Sequence, residues 1–338
     1  MDSQQPAVTP ERIMQMAWGY AVTLILEAGI RNKIFDTLDA GPKTVDEVAA
    51  ATGASVRGLR SVMNALVGVQ LLKKDGESKY ELTPESAAFL VSTKPSYMGG
   101  MVAHTSEQLM PQWLHLSDVV ATGKPATSVN QADGGQAFFQ ELVSNIFPMS
   151  YGPAKALAAH LALGESGPPV RVLDLGAGSG VWSIAIAQSS PRVKVTAVDW
   201  PGVLPITQKH ADRFGVGDRY TMVPGDLGTV DFGRDHNVIT IGHILHSEGE
   251  KRSRKLLRKC FDALAPGGTI AIQEFLVNPQ RTGPTMPLLF AVNMLINTDE
   301  GDTWSFEEIS EWLKEAGFVN PRLLQSPGPS PLILATKE

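Results

Sequence analysis

One cysteine, Cys260, stands in a chain of 338 residues. A lone thiol cannot close a disulfide within the chain, so a disulfide-stapled fold is excluded and a reducing, cytoplasmic setting is expected. The opening stretch MDSQQPAVTPER carries no basic-then-apolar secretory pattern, in line with that expectation. Basic residues are in deficit: 29 Lys and Arg against 35 Asp and Glu leave a formal net charge of -6. This balance disfavours partners that present rows of phosphates, so no nucleic-acid partner is expected. Long apolar runs are missing too. The most apolar stretch, Met14 to Ile30, is interrupted by Gln15, Thr23 and Glu27. It falls short of the ~20 uninterrupted residues that span a bilayer, and no membrane partner is expected. It reads as a buried helix, apolar on nearly every side, that packs against a second subunit; burial within one chain is the alternative.

The rest is an ordinary globular composition, 43% hydrophobic and 19% charged, in a chain too long for one core of common size, so two domains are expected. Residues 30 to 90 carry dense helix punctuation. Thr44 and Glu47 have capping-box spacing, so a helix starts at Val45 and ends at Gly53. Ser55 caps a second helix with Leu59, Val62, Met63, Leu66 and Val69 at helical spacing. Asp75-Gly76, between Leu71-Leu72 and Tyr80-Leu82, marks a hairpin, and Thr83-Pro84 opens another helix. Helix, turn, helix and hairpin is a winged-helix order, which raises DNA binding as an alternative function. Its basic residues, Arg57, Arg60, Lys73 and Lys74, are diluted by Asp75, Glu77 and Glu81. A structural, dimerising role is preferred.

Residues 95 to 165 read as helices rich in Met and aromatic residues, with Gly164 to Pro169 as a junction. From Val170 onward short apolar runs alternate with helical stretches, the pattern of a parallel, doubly wound sheet. Its first strand runs into Asp174-Leu175-Gly176-Ala177-Gly178-Ser179-Gly180. Glycines in a strand-to-helix turn let a ligand approach the backbone at the positive end of the next helix. Asp199 ends the second strand 25 residues past Asp174, where a carboxylate can accept both hydroxyls of a ribose. Asp226 ends the third, where a carboxylate can take an adenine amine. The loop is G-x-G-x-G with an acid before it, and that acid would repel a pyrophosphate but suit a positively charged sulfonium.

In order, D-L-G-A-G-S-G, V-D-W-P, G-D-L, I-L-H before a long helix, L-A-P-G-G and I-Q-E resemble the motif series of the S-adenosylmethionine-dependent small-molecule O-methyltransferases. These are the dimeric plant caffeate and flavonoid type and their bacterial natural-product tailoring relatives. The resemblance covers nearly the whole chain. It implies an α/β fold, a doubly wound Rossmann-like methyltransferase domain behind an N-terminal, mainly helical winged-helix dimerisation domain. The expected organisation is a dimerisation domain over 1–95, a helical region feeding the substrate pocket over 96–165 and a catalytic domain over 166–338.

The resemblance also assigns roles. His246 closes I-L-H and is the implied catalytic base; Glu274, 28 residues on, is its implied partner. Methyl transfer to a hydroxyl requires the oxygen to shed a proton as it attacks. An imidazole of ordinary pKa, about 6.5, accepts it at neutral pH while a carboxylate on its other nitrogen fixes the tautomer. Where the family places a second acid, Asp302 stands as its substitute. Ser247 and Glu248 replace the plant Asp and Trp after the base, so the adenine contact falls to Trp200 or Leu227, beside the Gly176, Gly178, Asp199 and Asp226 set. Met149 matches an acceptor-pocket Met, and Phe290, Asn293 and Met294 lie on the covering helix, with core packing the alternative for Phe290. His243, three residues before His246 in the strand, is expected on the opposite side by alternation, in a structural role. No further cluster with ligand spacing joins the two histidines, so no metal is expected. The reading is a homodimeric O-methyltransferase that uses S-adenosylmethionine on an aromatic or polyketide-like acceptor. Carbon or nitrogen methylation is the alternative within the class, and a winged-helix regulator sensing an adenosyl ligand the alternative outside it.

Overall fold

The structure is a computed structural model that describes residues 8–76, 78–129, 132–328 and 330–338. The opening MDSQQPA and Glu77 lie outside the described residues. The chain divides into two compact units, Met1–Gln108 and Leu109–Glu338. The helical region read over 96–165 is therefore shared between them.

The first unit comprises α1 (Glu11–Ala17), α2 (Gly19–Arg31), α3 (Ile34–Leu38), α4 (Val45–Thr52), α5 (Val56–Gly68), the antiparallel pair β1 (Leu72–Lys74) and β2 (Tyr80–Leu82), α6 (Pro84–Phe89) and α7 (Gly99–His104). Punctuation read from the sequence sets these bounds. Thr44 and Glu47 close a reciprocal capping box on α4, Gly53 ends it in the left-handed region, Ser55 caps α5, and Thr83 caps α6 with Pro84 in its first turn. Ile34, Phe35, Leu38, Val48, Met63 and Leu66 form the core.

The N-terminal stretch departs from expectation. It breaks at Trp18 into α1 and α2 rather than forming one helix, bent by 41°, and Met16 at 65%, Trp18 at 62% and Tyr20 at 55% exposed leave an apolar face of the kind expected to pack on a second subunit. Periodicity reports an apolar helix but not which surface covers it. Among the described residues, no single helix is long and apolar enough to cross a membrane; the bent pair passes only when its helices are taken together.

The second unit opens with α8 (Met110–Trp113), α9 (Leu116–Thr122) and the long α10 (Ala132–Leu161). Strands and helices then alternate: β3 (Val170–Leu175), α11 (Val181–Ser189), β4 (Val193–Asp199), α12 (Leu204–Arg213), β5 (Tyr220–Pro224), β6 (His236–Gly242), α13 (Leu245–Ala263) and β7 (Leu264–Gln273). The short β8 (Leu276–Val277), α14 (Thr285–Asn297), the short β9 (Trp304–Ser305), α15 (Phe306–Ala316), β10 (Val319–Leu324) and β11 (Leu332–Thr336) complete it. The seven-stranded sheet has the order β5-β4-β3-β6-β7-β11-β10. Its first five strands are parallel, as expected, whereas β11 runs antiparallel between β7 and β10. Strand order reverses between β3 and β6, and in open α/β sheets ligands bind at that switch, beyond the carboxyl ends of the strands.

Each face of the sheet is covered. On one, Leu157, Trp182, Ile184 and Ile186 of α10 and α11 pack on Val172, Val195 and Val238. On the other, Leu256, Leu257 and Cys260 of α13 and Ile309, Trp312 and Leu313 of α15 pack on Leu173, Ile239, Ile241 and Ile270. A fully buried aliphatic side chain of this kind is worth roughly 1.5–3 kcal/mol of transfer free energy. Two dry faces hold the strand ends, and the residues on them, in fixed register.

Candidate active site

Parallel pairing brings the ends of β3, β4, β5 and β6 to one edge. Beyond β3, Gly176, Gly178 and Gly180 all take positive φ, at 60°, 54° and 72°. At Gly176 a Cβ would run into the Ile244 side chain, so any residue with one would be both strained and crowded. The loop is tied to the next strand end: Asp199 Oδ2 accepts the Gly178 N–H at 2.7 Å and Oδ1 accepts the Trp200 N–H at 2.7 Å. Burial pushes the Asp199 carboxyl up to about 6 against these two donors.

Asp174 lies beneath the loop, 1% exposed, accepting the hydroxyls of Thr240 at 2.7 Å and Ser183 at 2.5 Å. Burial pushes it too up to about 6, with Asp199 contributing in the same direction. Two acids destabilised by their own surroundings form a place where a cation is favoured, which fits a sulfonium donor. At the third strand end, Asp226 Oδ1 accepts the Gly228 N–H at 2.8 Å while Oδ2 lies 3.8 Å from Arg252. Leu227 is half-buried against the α13 side of the core, and Trp200 meets Phe139 edge-on at 5.5 Å.

The pairing of β6 and β7 builds the other half. Gly242 sits opposite Gln273, so the turn into α13 meets Glu274, the first residue past β7. Glu274 is 1% exposed. Its Oε1 accepts the Leu245 N–H at 2.7 Å and the His246 N–H at 3.4 Å, and its Oε2 lies 2.7 Å from His246 Nδ1. Burial alone would raise this carboxyl, but the attraction and hydrogen bonds of His246, aided by His243, more than offset it and hold the pKa below the ordinary carboxylate value. An ionised carboxylate only accepts, so His246 Nδ1 carries the hydrogen, and in the neutral ring this leaves the lone pair on Nε2.

The main chain of this turn is tethered as well. Trp304 Nε1 and Ser253 Oγ donate to Leu245 O, each at 3.2 Å, and the Asp302 N–H donates to His246 O at 2.9 Å. Gly249, with φ 70° and ψ 166°, breaks α13 just beyond, so the long helix read from sequence is kinked after its first turn.

Asp302 reaches His246 through its backbone. Its carboxylate accepts the Thr303 N–H at 2.7 Å and lies 3.5 Å from Arg281, rather than flanking the imidazole. Phe290 meets the His246 ring edge-on at 4.9 Å. Asn293, one turn on, is buried, and its Oδ1 accepts from Trp113 Nε1 at 3.0 Å and Asn297 Nδ2 at 3.1 Å. Met294 is buried beside it, whereas Met149 is 41% exposed on α10. Where a plant-type Asp and Trp were absent, Ser247 Oγ donates to Ile244 O and Glu248 pairs with Arg252 at 2.6 Å.

His243 corrects the expectation drawn from alternation. Its φ of 58° lies in the left-handed region, which ends the strand geometry and turns the ring to the same side as His246, with Nδ1 3.9 Å from Glu274 Oε2. Such backbone costs about 1–3 kcal/mol in a non-glycine residue. Burial pushes its pKa down to about 4, so it is neutral at physiological pH. Phe275 was missed altogether: its ring lies 4.7 Å from that of His243 and 4.5 Å from that of Phe290. Its place directly after Glu274 was the available signal.

A glycine-rich strand edge lined by buried acids, beside a buried histidine–carboxylate pair, suits group transfer from a cationic sulfonium donor. Family profiles agree: an O-methyltransferase domain matches residues 113–319 and an O-methyltransferase dimerisation domain residues 14–92. The chain belongs to the O-methyltransferase family and is an S-adenosylmethionine-dependent enzyme. It is 30% identical to 3-hydroxy-5-methyl-1-naphthoate 3-O-methyltransferase of Streptomyces sahachiroi over 97% of this chain and 95% of that one. It is 28% identical to the tetracenomycin polyketide synthesis 8-O-methyl transferase TcmO of Streptomyces glaucescens over 97% of each. A crystal structure from Nostoc punctiforme, assigned to the O-methyltransferases, superposes with a TM-score of 0.90 at 26% identity, over 98% of this chain and 100% of that one.

Proposed function

We infer that the enzyme methylates a hydroxyl of a small, fused or polyketide-like aromatic acceptor, with His246 as base and Glu274 as its partner. The observation that carries this reading is the 2.7 Å bond between His246 Nδ1 and a carboxylate that is 1% exposed. The relatives named for naphthoate and tetracenomycin substrates, and the Phe275 and Phe290 rings around the base, support the acceptor class.

Bound S-adenosylmethionine supplies a methyl group on a positively charged sulfur. Gly176, Gly178 and the Asp199 carboxylate would hold its adenosine portion, with Asp226, Leu227 and Trp200 serving the adenine. His246 Nε2 takes the proton of the acceptor hydroxyl as the oxygen attacks, and Glu274 stabilises the imidazolium through Nδ1–H. Phe290, Asn293 and Met294 confine the acceptor, so that a dry, oriented encounter supplies most of the acceleration. Asp302 acts through its backbone by fixing the His246 carbonyl. The N-terminal domain forms the homodimer contact, which the exposed Met16, Trp18 and Tyr20 support.

The test is incubation with methyl-labelled donor and a panel of phenolic and polyketide acceptors. His246→Ala is expected to lower turnover ~10²–10⁴-fold with donor affinity little changed. An unaltered rate would remove His246 from the chemistry, and label on carbon or nitrogen would reassign the acceptor atom.

A further inference from the structure

We propose that His243, His246 and Glu274 form a binding site for a divalent transition ion of the zinc type, and that occupying it inhibits the enzyme. One nitrogen from each histidine and one oxygen of Glu274 all lie within 4.8 Å of one another. Two imidazoles and a carboxylate are a ligand set that suits zinc and leaves a fourth position open. Ligands 2.0–2.2 Å from a tetrahedral ion stand roughly 3.3 Å apart. The separations here, 2.7 Å for His246 Nδ1 and 3.9 Å for His243 Nδ1 to Glu274 Oε2, bracket that value. All three ligand atoms lie within 4.8 Å of one another, so seating the ion takes side-chain movements of roughly 0.6–1.5 Å.

A second, independent observation points the same way. His243 Nδ1 is buried without a hydrogen bond of standard geometry, the Gln273 side chain being the neutral polar group that interacts with its ring. Its ring reaches Glu274 only because the backbone at this residue takes a left-handed conformation that side chains rarely adopt. A strained residue thus turns this nitrogen toward the carboxylate that already holds the base.

The chemical consequence follows from where the protons lie. An ion on His246 Nδ1 takes the position of the hydrogen shared with Glu274. The hydrogen then resides on Nε2, by exchange through water, and no net proton leaves the ring. Nε2 has lost its lone pair and cannot accept the hydroxyl proton. The inhibition rests on the role of His246 inferred above; the binding does not.

The experiment uses tag-free, metal-stripped, full-length protein. Cobalt(II) is expected to give the visible bands of a four-coordinate site, and zinc titrated by calorimetry to bind once per chain. His243→Gln should weaken zinc at least about tenfold while donor binding persists. Zinc should abolish methyl transfer in parallel with occupancy, and a chelator should restore it. X-ray absorption on the zinc-loaded wild type guards against a variant that fails to fold, with two imidazoles and one carboxylate oxygen expected. Absence of binding at millimolar ion, unchanged affinity in folded His243→Gln, or fewer than two imidazoles on the zinc would overturn the site. Binding without inhibition would overturn its inhibitory role, while His246→Ala tests the base separately.

Discussion

Replacing Glu274 by Gln isolates the tautomer from the fold. The two side chains have the same shape, and the amide oxygen of Glu274→Gln can still accept the Leu245 N–H now held at 2.7 Å. The other terminal atom becomes an N–H2 donor facing His246 Nδ1, now 2.7 Å away. Two donors cannot share that contact, so the imidazole must present a lone pair at Nδ1 and carry its hydrogen on Nε2. Nε2 then cannot receive the acceptor proton, and the imidazolium loses its counter-charge. Both losses fall on the transition state, so kcat should drop ~10²–10⁴-fold, the range of general-base catalysis, while the donor dissociation constant stays within about threefold. Glu274→Ala adds a stability defect of about 1–3 kcal/mol, because it strands the buried Leu245 N–H. Steady-state rates with labelled donor, calorimetry with the demethylated product and thermal melts separate these effects. A Glu274→Gln enzyme with kcat within about threefold of wild type would refute the tautomer argument outright.

Asp199→Asn should weaken the donor by about 1.5–3 kcal/mol, roughly 10–150-fold, with turnover at saturation nearly kept, as charged hydrogen bonds to the ribose would be lost; calorimetry reads it, and unchanged affinity counts against the assignment. In the free enzyme, burial pushes Asp174 and Asp199 up to about 6, above their ordinary 3.8. The folded state therefore holds more protons than the unfolded one between those values, and stability falls as pH rises through that window. Melts from pH 4 to 7.5 should show the gain of Asp199→Asn over wild type growing with pH, and a flat difference would contradict this. Trp18→Glu, on a side chain 62% exposed, should reduce the light-scattering mass to the 36.3 kDa of one chain; a persistent dimer would place the contact elsewhere.

Local rules made much of the fold legible. Thr44 with Glu47, Ser55, Gly53 and Pro84 each act within a few residues, and the helices begin and end where they indicate. Strand ends were equally readable, since Asp174, Asp199 and Asp226 each follow or close an apolar run. What escaped depends on long-range pairing or on single backbone angles. Nothing local marks β11 as running antiparallel to β7, because that partner lies some 60 residues earlier. The side on which His243 stands turned on one positive φ, which period-two reasoning cannot anticipate. Arg281 claimed the Asp302 carboxylate, a pairing between loops with no shared motif.

The break at Gly249 has an evolutionary corollary. Because the helix restarts there, the imidazole takes its position from the sheet, from the Trp304 and Asp302 loop and from Ser253, and the exposed side of the turns from Arg254 onward serves as scaffold. That outer surface is free to accumulate substitutions, or to accept grafted sequence, without moving the reactive nitrogen. Changes in the segment from Asn297 to Trp304 would shift it directly, which makes that short stretch the lever for redesigning how the base meets a new acceptor.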